Sequence, residues 1–245
     1  MTEMTQQFFG APVSTLVQSI PAANSHLRGH TQLAMQRFSN QFRLSPADLA
    51  VLTPDELARL AQAKRPEKTH RALAVRLQLR RMLSPELNCA PPDVRFVSSA
   101  DGKLLLHPLH GLAVTQLDFS LTYTTEGYAV CIATGSQVGI DLQGFSPRQE
   151  RNFETLFGGS YARRQLTTLA PHEIWTRMEA YGKMKGVGLA YGLHRLYRIA
   201  VDPQTSDVPC HFTDIRFGRG LALSLCTTGL SRRPVSIVAP GSPAG

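Results

Sequence analysis

The segment from Ile174 to Gly186, IWTRMEAYGKMKG, contains the chain's only tryptophan, one glutamate and two lysines on a predicted helix that ends at glycine. Trp175, Glu179 and Lys183 are spaced four residues apart, so they share one face of that helix. Glu179 lies among apolar residues, and a partly buried carboxylate needs a partner. Lys183, or a cation shared with a second acid, could be that partner. The segment therefore predicts a packed helix with a charged stripe.

The second acid is Asp141, which ends the apolar run VGID. An aspartate in that position can simply cap a turn. It can also be a metal ligand, because Mg²⁺ is commonly bound by one or two carboxylates together with substrate phosphates. Glu179 and Lys183 likewise could form only a surface pair worth about 0.3 kcal/mol. The residues alone leave both interpretations open.

Composition limits the class of protein. The chain has 245 residues, 42% of them hydrophobic, which is enough for one large domain or two small ones. The net charge of +8 favours acidic partners such as nucleic acid, nucleotides, anionic lipid or an acidic protein. We find no apolar run of the ~18 residues that a membrane span needs and no secretory signal. The four cysteines lack CxxC spacing, so we expect reduced core thiols and a cytoplasmic protein.

The hydrophobic patterns predict an α+β fold in two similar halves, each an antiparallel sheet packed with a long helix. We assign residues 31–136 to the first half and 137–230 to the second. An irregular segment, 1–30, precedes them, and a disordered tail, 231–245, follows. The motif DVRF in one half and DIRF in the other hints at a repeat, although four residues can match by chance.

In the first half we predict a strand at 31–38 and helices capped by Ser45 and Thr53. A longer helix is predicted from Pro66 to Leu83, with an apolar face of Ala72, Val75, Leu79, Met82 and Leu83. Four strands follow, between 93 and 134. The second half has the predicted strand QVGIDLQ, a helical region at 147–168 and the helix that carries Trp175. Its last predicted strands are LYRIAV, DIRFG and LALSLCTT.

The two acids occur in a specific joint pattern, since Glu179 follows Asp141 by 38 residues within WTRMEAYGKMKGVGL. This pattern resembles the 4'-phosphopantetheinyl transferase superfamily, whose helix motif is matched by Trp175, Thr176, Glu179, Ala180, Lys183, Gly186, Gly188 and Leu189. The two-half layout is similar to the larger pseudodimeric class, typified by the surfactin-synthetase activator. The resemblance extends from about Leu52 to Thr227.

The resemblance implies that 4'-phosphopantetheine is transferred from coenzyme A to a serine of an apo carrier protein, with Mg²⁺ as cofactor. Asp141, Glu179 and Gln143 would then be metal ligands, and Gln143 could act through a water molecule. Glu179 and Lys183 would be catalytic. Glu179 would accept the serine proton, and Lys183 would stabilise the leaving phosphate.

The resemblance also implies a coenzyme A site. The residues expected to hold the nucleotide are Arg59, Arg71, Gly102, Lys103, Thr122 and Tyr123. We expect coenzyme A and an acidic carrier protein as partners, neither nucleic acid nor a membrane, and a monomeric protein. Without the resemblance, Gly102 and Lys103 would be read equally well as a plain hairpin turn.

Three positions depart from the family pattern. Met178 replaces a lysine, Gln143 replaces a second acid, and Tyr123 replaces the histidine that contacts the 3'-phosphate of coenzyme A in the family. A tyrosine hydroxyl can bond phosphate but brings no positive charge. Two alternatives therefore remain, a coenzyme A-binding protein with weak or no transferase activity, and a basic nucleic-acid-binding module whose affinity would fall steeply with salt.

Overall fold

The structure is a computed structural model that describes residues 29–39, 42–99, 103–144, 146–163, 169–216, 220–229, 234–238 and 240. It has the predicted α+β class. The helices are α1 Pro46–Leu49, α2 Pro54–Ala61, α3 Pro66–Glu86, α4 Ala113–Gln116, α5 Pro147–Arg163, α6 Pro171–Lys185 and α7 Leu193–Val201. The strands are β1 Thr31–Arg37, β2 Phe96–Ser98, β3 Leu104–Leu106, β4 Leu117–Tyr123, β5 Gly127–Thr134, β6 Val138–Gly144, β7 Cys210–Arg216, β8 Leu221–Thr228 and β9 Val235–Val238.

The first sheet has the strand order β4-β5-β1-β9, and the long helix α3 packs against β4 and β5. Val75, Leu79 and Leu83 of α3 are fully buried in the core beneath this sheet. Both predicted caps are confirmed, at Ser45 and Thr53, and each forms a capping box. These caps satisfy amide groups at the starts of α1 and α2, which otherwise lack partners.

Strand β9 differs from expectation in two ways. We assigned 231–245 to a disordered tail, but Val235–Val238 forms a strand beside β1. The pairing is parallel, with Thr31 opposite Val235, so the first sheet is mixed rather than purely antiparallel. A four-residue strand shows too little periodicity to be predicted. It forms where the edge of β1 offers unpaired backbone groups.

The second sheet has the antiparallel order β6-β8-β7, and α6 packs across β6 and β8. Gly139 permits this close packing, because a Cβ atom there would overlap the backbone of Ala180 and the amide of Met184. Ile174, Met178 and Met184 of α6 are fully buried in the same core. The predicted strand at Val138 and the predicted helix around Trp175 are therefore confirmed.

The predicted strand LYRIAV was wrong, because the segment belongs to helix α7. Leu196, Tyr197, Ile199 and Ala200 are buried, whereas Arg198 is exposed. This spacing covers one side of a helix, not alternate positions of a strand. An apolar run of six residues does not distinguish a buried strand from a helix. The helix extends over nine residues, and its first turn carries the basic residues that the strand prediction left out.

The two sheets meet where β4 runs beside β6. Backbone amides of β6 donate hydrogen bonds to side-chain oxygens of β4 at 2.8, 3.0 and 3.3 Å, in the pairs Val138–Asp118, Ile140–Ser120 and Leu142–Thr122. Every second amide of β6 is thus satisfied by a polar side chain. This contact fixes β6 against the first sheet. Among the described residues, none of the helices is both long and apolar enough to cross a membrane.

Candidate functional site

Asp141 lies within β6, not at its end, and only 3% of its surface is exposed. Its Oδ1 accepts hydrogen bonds from Lys183 Nζ at 2.7 Å and from the Thr122 hydroxyl at 3.3 Å. Its Oδ2 accepts one from the Gln143 side-chain amide at 3.0 Å. Three donors from three different elements therefore compensate this buried carboxylate, as a charge taken out of water requires.

Lys183 connects helix α6 to this carboxylate. Besides Asp141, its ammonium group donates to the Ile140 carbonyl at 3.1 Å. Gly186 then ends α6 in the left-handed region at φ 75°, a conformation that favours glycine. The end of α6 and the Lys183 side chain form one wall of a cavity, described below.

Glu179 lies one helical turn before Lys183, with its side chain half-buried. Burial raises the pKa of the Glu179 carboxyl, and the negative charge of Asp141 raises this pKa further, whereas Lys183 lowers it. The two acids therefore lie close enough to repel each other, and Lys183, which bonds Asp141, reduces this repulsion. Among the described residues, Glu179 accepts no hydrogen bond.

The donor set fits a divalent cation held jointly by protein and substrate. Two neighbouring carboxylates that repel each other are stabilised by a shared cation, and Mg²⁺ accepts such oxygen ligands. The amide of Gln143 adds a third oxygen-bearing side chain next to Asp141. The described residues contain no group of three or more His, Cys, Asp or Glu placed to hold a metal. The arrangement thus suits a cation that completes its coordination with substrate oxygens and water.

A cavity of about 540 Å³ opens beside Lys183. Three basic side chains line it, Arg76 from α3, Lys103 and Lys183. Tyr123, 37% exposed, adds a phenol, and the described lining residues include no carboxylate. A concave, positively charged cavity of this size suits a polyanionic small molecule.

The predicted nucleotide-binding residues divide into two groups. Lys103 and Tyr123 line the cavity, whereas Gly102 lies outside the described residues. Arg59 is exposed on α2, and Arg71 lies over the Phe38 ring, 5.7 Å from its centroid. Neither of these arginines is among the residues that line the cavity.

Thr122 has a different environment from the one we expected. Only 6% of its surface is exposed, and its hydroxyl bridges the Leu142 amide and the Asp141 carboxylate. The hydroxyl already accepts one hydrogen bond and donates another, and Thr122 is not among the residues that line the cavity. The structure therefore places Thr122 beneath the acid pair.

Sequence reasoning missed Arg76. We placed Ala72 on the apolar core face of its helix, yet Ala72 and Arg76, one turn apart, both line the cavity. The signal was available, because Arg76 lies one turn after Ala72 and a guanidinium group is costly to bury in an apolar core without a partner. What the stripe faces instead depends on the tertiary structure.

Trp175 and Lys183, which were predicted to share one helix face, line different cavities. Trp175 lines a second cavity of about 210 Å³ with Gln143, Phe153 and Leu156, whereas Lys183 lines the large one. Gln143 thus contacts Asp141 on one side and an apolar pocket on the other.

No protein-family model matches the chain. Two curated proteins are similar to it. One, a putative 4'-phosphopantetheinyl transferase of Synechocystis sp., is 26% identical over 167 residues, which cover 62% of this chain and 64% of that protein. The other, the 4'-phosphopantetheinyl transferase HetI of Nostoc sp., is 32% identical over 152 residues, which cover 58% of this chain and 62% of that protein. The chain therefore spans less than two thirds of the length of each relative.

Proposed function

We propose that the protein transfers 4'-phosphopantetheine from coenzyme A to a serine of an apo carrier protein and releases adenosine 3',5'-bisphosphate. The observation that carries this proposal is the meeting of Asp141, Glu179 and Lys183 beside a cation-lined cavity. The names of the two relatives support the same activity. A nucleic-acid-binding module would need neither a buried acid pair nor such a cavity.

The chemistry assigns a task to each side chain. The serine hydroxyl oxygen attacks the phosphorus that carries pantetheine, and the bond from this phosphorus to the oxygen of the nucleotide phosphate breaks. Glu179 accepts the serine proton, since a carboxylate with a raised pKa is a stronger base than an ordinary one. Lys183 uses two of its three ammonium protons on Ile140 and Asp141. The third is available for an oxygen of the leaving phosphate.

Asp141 and Glu179, with Gln143 directly or through water, are the residues that would hold Mg²⁺. The bound cation would neutralise charge on the pyrophosphate. Lys183 would support this metal site, because its hydrogen bond holds the Asp141 carboxylate in a fixed position. Lys103 and Tyr123 would contact the nucleotide in the large cavity.

We further propose that the two sheet-and-helix halves correspond to the larger pseudodimeric class of these transferases and that the protein works as a cytoplasmic monomer. The acceptor would be an acidic carrier protein, drawn to the protein by its net charge of +8. Since Tyr123 and Met178 bring no positive charge where the family has histidine and lysine, a coenzyme A-binding protein with weak transfer is the second candidate.

The test is to incubate the protein with coenzyme A, Mg²⁺ and several purified apo carrier proteins and to weigh each carrier by mass spectrometry. The proposal expects a mass gain of one phosphopantetheine, which is lost when a chelator removes the metal. Calorimetric titration of coenzyme A runs in parallel. Binding without any mass gain on any carrier supports the second candidate, and absence of both binding and transfer refutes the two together.

A further inference from the structure

Arg76 lines the same cavity as Tyr123, but it is carried by a different element. It lies on α3, and 32% of its side chain is exposed. Tyr123 ends β4, on the neighbouring sheet. The cavity is therefore lined by a guanidinium group from α3 and by a phenol from β4.

The surroundings of Arg76 contain an excess of positive charge. Oε2 of the buried Glu56 carboxylate accepts a hydrogen bond from Nη1 of Arg80 at 2.6 Å. Arg76 lies 3.9 Å from the other oxygen, an ion-pair separation that is too long for a hydrogen bond. Two guanidinium groups thus share one carboxylate. Arg59 adds a third positive charge close enough to lower the pKa of Arg76, together with burial and Arg80.

The guanidinium of Arg76 also has unused donors. Among the described residues it makes no hydrogen bond, and Glu56 does not neutralise it alone. A guanidinium group has five N–H donors in a planar fork that matches the oxygens of a phosphate. A partly buried cation that shares the Glu56 carboxylate with Arg80 is suited to bind an anion that enters the cavity.

The other two cations of the cavity, Lys103 and Lys183, lie near each other. A Cβ atom on Gly186 would lie 3.8 Å from Cδ of Lys103, and Gly186 follows Lys183 by less than one turn. Lys103, whose ammonium group lies 3.8 Å from Asp118, and Lys183, which bonds Asp141, are therefore grouped at the end of α6, whereas Arg76 is carried by α3. This division suits a ligand with two separate anionic groups.

We propose that Arg76, assisted by the Tyr123 hydroxyl, binds the 3'-phosphate monoester of coenzyme A, while Lys103 and Lys183 face the pyrophosphate. The inference rests on the proposed function. Arg76 thereby supplies, from α3, the charge that Tyr123 lacks on β4. It follows that Arg76 determines the preference for coenzyme A over dephospho-coenzyme A, which lacks that phosphate.

The experiment compares kcat/KM for coenzyme A and for dephospho-coenzyme A in the wild type, Arg76→Met and Arg76→Lys. Loss of a charged hydrogen-bonded contact weakens binding roughly tenfold to a hundredfold. We expect Arg76→Met to lower kcat/KM for coenzyme A by that factor, mainly through KM, and to leave the dephospho substrate within about twofold. The kcat/KM of Arg76→Lys for coenzyme A should lie between those of the wild type and Arg76→Met, because lysine keeps the positive charge but lacks the planar, forked donor group of arginine. Arg198→Met removes an exposed charge on α7 and should change neither value.

A second measurement does not need turnover. Calorimetric titration with adenosine 3',5'-bisphosphate and with adenosine 5'-monophosphate should show that the wild type prefers the bisphosphate and that Arg76→Met does not. An unchanged preference in Arg76→Met overturns the inference even if transfer is active. If the wild type transfers nothing, the proposed function fails, and the titration still decides the role of Arg76. If Arg76→Met fails to fold in a thermal melt, Arg76→Lys carries the same comparison.

Discussion

The ammonium group of Lys183 lies 2.7 Å from Oδ1 of Asp141, so a residue of helix α6 holds the buried acid of strand β6. The two residues are far apart in the chain, and this contact connects the helix to the sheet at the mouth of the cavity. It also fixes the Asp141 carboxylate. Glu179 lies a turn earlier on α6, and burial together with the negative charge of Asp141 raises the pKa of Glu179. Predictions about activity and stability follow from this arrangement.

Replacing Lys183 by methionine should lower transfer by at least a hundredfold and destabilise the protein by about 3 kcal/mol. The loss of stability follows because Asp141, only 3% exposed, loses its ionic partner. The matched control is Lys185→Met on the same helix, whose partner Asp207 lies 3.4 Å away and is more exposed. We expect the control to cost less than about 1 kcal/mol. Equal effects of the two variants, in urea unfolding and in carrier mass spectrometry, would contradict the assignment.

Glu179→Gln should abolish transfer yet leave the metal-free protein equally or slightly more stable. The reason is that burial and the charge of Asp141 both raise the pKa of Glu179, so its negative charge opposes folding. We expect a gain of up to about 1 kcal/mol in chelator-treated samples. Glu154→Gln, on the exposed side of α5, is the control and should change neither activity nor stability. A clear fall in melting temperature for Glu179→Gln would show that its charge stabilises the metal-free protein, which contradicts the expected repulsion from Asp141.

Thr122→Val distinguishes a structural role of this hydroxyl from a phosphate contact. Valine removes the acceptor for the Leu142 amide and the donor to Asp141, so we expect a loss of about 1–3 kcal/mol in unfolding free energy. Thr122→Ser keeps the hydroxyl and should retain most of the stability. If Thr122→Val raises the dissociation constant of coenzyme A without affecting unfolding, the hydroxyl contacts the ligand.

Gly139→Ala should destabilise the protein by several kcal/mol. The added Cβ would overlap the Ala180 carbonyl and the Met184 amide, so α6 must move away from β6. Activity should fall as well, because that movement separates Lys183 from Asp141. Gly158→Ala is the matched control, since a Cβ at that position meets nothing within 4 Å. It lies inside helix α5, so alanine should stabilise the protein by about 0.5–1 kcal/mol. Circular dichroism melts measure both variants.

The Glu56 cluster predicts a pH-dependent stability. Hydrogen bonds from Arg80 and Thr53 and the charges of Arg80 and Arg76 outweigh burial and lower the pKa of Glu56 below 4.5. A depressed carboxyl pKa adds stability above the unfolded-state pKa, and this stability is lost as the pH falls through the folded-state pKa. Glu56→Gln should therefore cost about 3 kcal/mol at pH 7, where it leaves Arg80 buried without a charged partner.

The difference in unfolding free energy between Glu56→Gln and the wild type should become smaller once the pH falls well below 4.5. Urea unfolding at a series of pH values measures it. A constant difference across that range would mean that the charge of Glu56 contributes nothing to stability.

The sequence by itself determined most of the local structure and the central trio of the candidate site. Capping residues identified the starts of α1 and α2, since a cap acts within four residues. The four-residue step placed Glu179 and Lys183 on one helix face. The family resemblance, carried by their joint spacing with Asp141, implied that the two acids share a cation, and the structure places Lys183 Nζ 2.7 Å from Asp141.

Only the tertiary structure decided which polar groups face the cavity. The short segments α7 and β9 took the conformation that their packing partners required, because neither carries a decisive period of its own. Thr122 faces Asp141, while Arg76 faces the cavity. The physical reason is that periodicity fixes which residues share a face of an element, whereas the packing of one element on another fixes what that face meets.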